Sequence, residues 1–114
     1  PIGQHWYCLF CTSSRHWSDA YRHANPQSPV TGTHYLIADH PRGPWRIAPG
    51  PFLDGAEPCR RYAARIVETD DGLRILGFAD GGKANFGGYV MDPEPVTVGP
   101  DGLLHVSPQA QAAE

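Results

Sequence analysis

Every apolar run in this chain is short, and most are cut off by glycine, proline or both. Tyr35-Leu36-Ile37-Ala38 ends at Asp39-His40-Pro41-Arg42-Gly43-Pro44, and Leu73 to Ala79 is entered through Asp70-Asp71-Gly72. The chain carries 13 glycines and 12 prolines in 114 residues, about twice ordinary usage. They follow no fixed period, which excludes a collagen repeat, and 40% hydrophobic content excludes low-complexity disorder. Frequent turns between short apolar runs, with no long helical periodicity, define an all-β chain.

Charge and hydropathy exclude several classes. Nine basic and 12 acidic residues give a net charge of -3, without the basic stripe of a nucleic-acid module or a polybasic membrane-surface segment. No apolar run approaches the roughly 18 residues that cross a bilayer. No signal peptide is visible at Pro1-Ile2-Gly3-Gln4. Cys8, Cys11 and Cys59 are the three cysteines. Cys8 and Cys11, three apart on a predicted strand, point to opposite faces, so they do not clamp one metal and read as small packing hydrophobes. Unpaired cysteines favour a reducing compartment such as the cytoplasm. Neither a metal nor a cofactor is expected.

The predicted strands are His5–Cys11, Thr33–Ala38, Trp45–Ile47, Tyr62–Val67, Leu73–Ala79, Tyr89–Met91 and Leu103–Val106. Asp70-Asp71-Gly72 makes an antiparallel hairpin of the fourth and fifth. Val96–Val98 and Leu103–Val106 flank a second turn, Gly99-Pro100-Asp101-Gly102. Thr12 to Gly32 is a loop of about 20 residues, a length usually reserved for function, with a short helix over Ser18–Ala24 and Ser18 as its N-cap. Asp80 to Gly88 is a glycine-rich connection without the Gly-Lys-Ser/Thr ending of a phosphate loop. The tail, 107–114, reads as a linker.

The order of motifs resembles a known family. Gly3-Gln4-His5-Trp6-Tyr7-Cys8-Leu9-Phe10 is followed by Thr33 to Trp45, with its Asp39, Pro41 and Gly43-Pro44-Trp45. Then come Tyr62 to Phe78, and Asp92 to Val106. This series resembles the later blades of the catalytic propeller of glycoside hydrolase family 32, the β-fructosidases, with relatives in families 43 and 68. The resemblance implies antiparallel four-stranded blades of a five-bladed β-propeller, of which about one and a half are present. On this reading 1–50 is a blade missing its inner strand, 51–106 a complete blade and 107–114 a tail. The implied partners are a carbohydrate substrate and the remainder of the propeller.

The same resemblance implies retaining chemistry by an Asp nucleophile, an Asp in an Arg-Asp-Pro motif and a Glu acid/base, with nucleophile and acid/base about 5–5.5 Å apart. No motif carrying them occurs in this chain. Glu57 follows the Trp6-Tyr7 strand, whereas the family's Glu precedes it, so no catalytic residue is assigned. The expected function is hydrolysis or transfer of fructosyl or related glycosyl units by the complete propeller. The alternative is a non-catalytic glycan-binding or structural propeller segment.

Two clusters are candidates for substrate binding. The start of an innermost strand faces the funnel in such propellers, which puts Asp54, Glu57, Arg60, Arg61 and Tyr62 at the sugar. Against this stands an ordinary charged loop with surface ion pairs of little worth. In the long loop, Trp17 and Tyr21 offer faces for sugar rings, with Arg15 and His16 to read hydroxyls. The competing reading is a loop pinned down by its own aromatic side chains.

Overall fold

The computed structural model describes residues 1–80 and 87–107, and these form two antiparallel sheets. The first contains β1 (Trp6–Thr12), β2 (Thr31–Ala38), β3 (Arg46–Ile47) and β4 (Asp54–Ala56). The second contains β5 (Arg61–Thr69), β6 (Gly72–Ala79), β7 (Glu94–Val98) and β8 (Leu104–Val106), paired in chain order as a meander. The one α-helix among the described residues, α1 (Asp19–Ala24), starts where the Ser18 hydroxyl accepts from the Tyr21 amide, as the N-cap pattern predicts. Among the described residues no helix is long and apolar enough to cross a membrane. The all-β expectation holds. Most of the glycine-rich connection, residues 81–86, and the tail, 108–114, lie outside the described residues.

Three expectations are corrected. The third strand of the second sheet is Glu94–Val98, not Tyr89–Met91. Tyr89 and Val90 stay 63% and 70% exposed and contribute one isolated bridge, Phe78 to Val90. Val96, by contrast, enters the core, and a strand is held where alternate side chains are buried. Secondly, Asp54–Ala56 pairs with Thr31–Thr33 of β2. The chain therefore crosses between sheets after Ala56, not at residue 50. Thirdly, Cys8 and Cys11 are exposed, while Cys59 is buried. Their β1 neighbours Tyr7 and Leu9 pack against the core instead.

β3 and β4 share one rim of β2: β3 pairs with Leu36 and Ile37, β4 with Thr31 to Thr33. β4 approaches closely because Gly32 and Gly55 face each other. A Cβ on Gly32 would lie 2.1 Å from the Asp54 carbonyl oxygen. Across the sheets, Tyr35 and Ile37 pack with Ala64, Ile75, Val96 and Leu104, flanked by Tyr7, Leu9, Ile66 and Leu73. These β2 residues share one face by the two-residue period of a strand.

Polar bonds tie this apolar layer together. The Tyr35 hydroxyl accepts from the buried Leu104 amide at 2.8 Å, and the Tyr7 hydroxyl donates to the Gly102 carbonyl at 2.6 Å. In β5 the register slips between Tyr62 and Arg65, with Ala63 at φ 55°. This bulge frees the Ala64 amide to reach the Thr33 hydroxyl in the other sheet, at 3.4 Å. Tyr35→Phe leaves the Leu104 amide buried without an acceptor. Urea unfolding is expected to show a loss of about 1–3 kcal/mol, and a smaller loss for the half-buried Tyr7→Phe.

Candidate functional site

The bulge at the start of β5 sets the direction of Arg60 and Arg61, as bulges re-aim side chains near the ends of strands. Arg61 is 0% exposed. One guanidinium nitrogen, Nη1, donates to Asp54 Oδ2 at 2.7 Å, and the other, Nη2, donates to Glu94 Oε1 at 2.6 Å. Arg60 comes to the same group from outside: its Nη2 lies 2.9 Å from Glu94 Oε1 and 3.8 Å from Asp54 Oδ1, with the side chain 44% exposed. Two cations and two carboxylates make a neutral cluster joining β4 of one sheet to β5 and β7 of the other. The buried guanidinium fits because Gly77 lacks a side chain, and a Cβ there would fall 2.5 Å from Arg61 Cγ.

The two carboxyls are driven in opposite directions. Burial raises Asp54 above the usual carboxylate range, with Arg61 and Arg60 pulling back and Glu94 adding to the rise. Burial also opposes charge on Glu94, but hydrogen bonds from Arg60 and Arg61 outweigh it and hold that carboxyl below its ordinary value. Such divergence distinguishes two carboxylates that share one site. Cys59 lies beside the cluster, its Sγ 3.1 Å from the Arg61 carbonyl. Burial first, then Asp80 and Asp54, push its thiol up to about 11. It therefore stays protonated at neutral pH and is no nucleophile.

The first predicted cluster is only partly assembled. Asp54, Arg60 and Arg61 converge, while Tyr62 turns its ring edge-on to Phe78 at 6.0 Å. Burial, with the neighbouring Cys11 thiol next in weight, raises the Tyr62 phenol. Glu57 accepts from the Ser14 hydroxyl and so links its own loop to the long one. The fourth member of the charged cluster, Glu94, was not foreseen. It lies between Pro93 and Pro95, and only sheet pairing brings it to Arg61.

In the long loop, Trp17 is 7% exposed. Its ring stacks on Phe52 at 5.1 Å, Tyr21 lies edge-on at 4.8 Å, and its Nε1 donates to the Val30 carbonyl. Phe52 in turn stacks on His34 at 4.8 Å. Trp17 thus pins the loop to the sheet. Arg15 and His16 are exposed. His16, Trp17 and Tyr21 border a cavity of about 570 Å3 that Phe10, Ile47 and Phe52 also line. The described residues contain no group of three or more histidine, cysteine or acidic side chains placed to hold a metal. Compared with known proteins, the chain matches no family model, no curated protein and no solved structure.

His34 is fully buried and clamps β2 to the segment before β4. Its Nδ1 accepts from the Leu53 amide at 3.3 Å, which puts the proton on Nε2, 2.8 Å from the Ala48 carbonyl. Burial lowers its pKa, and the Ala48 bond only partly opposes this. An unfolded histidine gains its proton near 6.5, where folded His34 still refuses it. The unfolded state then binds more protons, so stability falls as pH drops below about 6.5 and levels off beneath the folded value. The urea midpoint is expected to fall across that window, with the His34 ring resonances titrating below 6.5. Separately, Glu94→Gln is expected to cost roughly 1.5–3 kcal/mol by removing charged hydrogen bonds. Gly77→Ala, which drives a Cβ into the Arg61 stem, is expected to lower the urea midpoint as well.

Proposed function

We propose that this chain is about one and a half neighbouring blades of a glycosidase-type β-propeller, and that its charged cluster reads sugar hydroxyls. The observation that carries this reading is the cluster at the start of β5, the first strand of a four-stranded meander. There Arg60 stands half-exposed, held by Glu94 and Asp54. Fixed donors and acceptors with no net charge suit a neutral, polyhydroxylated ligand better than an anion. The motif order from Gly3 to Val106 supports the same family. In the complete propeller the reaction is hydrolysis or transfer of fructosyl or related glycosyl units, with the catalytic carboxylates supplied from outside this chain.

One observation favours the second reading, a glycan-binding segment without catalysis. Asp54 and Glu94 are both engaged by Arg61, so neither carboxylate is free to attack an anomeric carbon. The 114-residue chain is expected to release no sugar from sucrose, inulin or an aryl glycoside. Titration with fructose, sucrose and inulin oligosaccharides, followed by amide NMR, is expected to shift resonances around Arg60 and Glu94. Arg60→Ala is expected to weaken that binding about tenfold, or ~1.4 kcal/mol. No sugar-dependent shift at millimolar concentration removes the carbohydrate reading. Turnover abolished by Glu57→Gln overturns the assignment of catalysis to other chain.

A further inference from the structure

The cavity of about 570 Å3 beside the long loop lies on the outer face of the first sheet. Phe10 and Thr12 of β1 pair with His34 and Gly32 of β2, and paired residues share a face. Tyr35 and Ile37 take the opposite face, between the sheets. The charged cluster also lies between the sheets, since Asp54 pairs with Thr33, whose hydroxyl accepts from the Ala64 amide of the second sheet. Cavity and cluster are therefore separate. Trp17 and Tyr21 border the cavity from the long loop and α1, Ile47 from β3, and Phe52 from the segment before β4.

The walls select by charge and polarity. Among the described residues no carboxylate, lysine or arginine lines the cavity, so an ion finds no counter-charge there. Phe52 stacks on Trp17 at an interplanar angle of 20° and on His34 at 5°. Its faces are taken, and it presents its edge. A ring edge is the positive rim of the aromatic quadrupole, suited to the face of another ring and the wrong sign for a cation. Most polar groups on the wall are already engaged. Trp17 donates to the Val30 carbonyl, the Thr12 hydroxyl donates to the Ser13 carbonyl, and the Ser18 hydroxyl accepts from the Tyr21 amide. A ring with hydroxyls on most carbons gives up water for few partners there, whereas an aromatic ring gives up little. The volume falls within the roughly 300–1,000 Å3 of small-molecule sites and exceeds the about 150 Å3 that holds one benzene.

One group on the wall is unsatisfied. The Tyr21 hydroxyl is closed off from solvent and has no hydrogen-bond partner among the described residues. Leaving a buried hydroxyl alone is costly, and a ligand oxygen that engages it recovers that cost. We propose that this cavity binds a neutral aromatic molecule of two fused rings bearing one oxygen, with a ring face against the Phe52 edge and the oxygen accepting from the Tyr21 hydroxyl. The ligand reaches the hydroxyl by a small turn of the Tyr21 ring against Trp17, whose centroid lies 4.8 Å away. The site stands whether or not the charged cluster binds sugar.

The probe is 2-naphthol, titrated into the full chain and followed by NMR. The Trp17 indole and the amides of residues 10–12, 17–21 and 52 are expected to shift, with those around Arg60 and Glu94 unchanged. Ala20→Phe puts a ring into the same space and is expected to weaken binding at least about tenfold. Tyr21→Phe is expected to weaken 2-naphthol binding about tenfold, to leave naphthalene binding unchanged and to keep the urea midpoint, because it removes an unsatisfied group. General loosening of the loop would weaken both ligands alike. The proposal is overturned by no shift at millimolar 2-naphthol, by shifts confined to Ile66 and Leu73 between the sheets, or by undiminished binding to Ala20→Phe. Equal loss of both ligands in Tyr21→Phe overturns it too. So does an equal response of the same residues to choline or fructose, which gives the cavity to a cation or a sugar.

Discussion

A guanidinium with no exposed surface is the constraint around which the two sheets are arranged. Arg61 has left water entirely, and a charge in that position is tolerated only with close, well-aligned partners. Asp54 arrives from the first sheet and Glu94 from the second. The ion pairs therefore fix how the sheets lie on each other as well as neutralising a charge. Apolar packing between Tyr35, Ile75, Val96 and Leu104 supplies burial without direction. The Arg61 bonds and the two tyrosine hydroxyls supply the register.

That arrangement depends on what is missing from neighbouring positions. Gly77 leaves room for the Arg61 stem, and Gly32 opposite Gly55 lets β4 bring Asp54 within reach. The bulge at Ala63 turns the start of β5 and releases the Ala64 amide to Thr33. Small residues and one irregular turn of backbone thus position a charged cluster that regular strands would not assemble. The outer face of the first sheet is closed by different means, a column of rings from Trp17 through Phe52 to His34. This column gives the long loop its anchor, and His34 adds two backbone bonds that hold the approach to β4.

Much of the architecture was legible in the residue order. Local chemistry sufficed for the hairpin at Asp70-Asp71-Gly72, the second turn at Gly99 to Gly102 and the Ser18 cap, because turns and caps are decided within a few residues of chain. The all-β class followed from the punctuation of short apolar runs. Part of the charged cluster was also legible, since Asp54, Arg60 and Arg61 lie close together in sequence. Glu94 was not, because 33 residues separate it from Arg61 and its own neighbourhood, two prolines, carries no sign of a partner.

What the tertiary structure decided is which of several equivalent local signals are buried. Tyr89–Met91 and Val96–Val98 read alike as strands, and only the second reaches the core. Trp17 reads equally as a sugar platform or an anchor, and only the packed structure shows the stack on Phe52 that anchors the loop. Cys8 and Cys11 read as packing residues, but the packed sheets leave both exposed while Tyr7 and Leu9 of the same strand meet the core. Periodicity and turn chemistry are properties of a few adjacent residues, so the sequence by itself determined most of the strands and many of their turns. Burial and charge pairing depend on groups brought together from distant parts of the chain, so the faces, the sheet boundary and the Asp54–Arg61–Glu94 cluster were settled only when the two sheets packed.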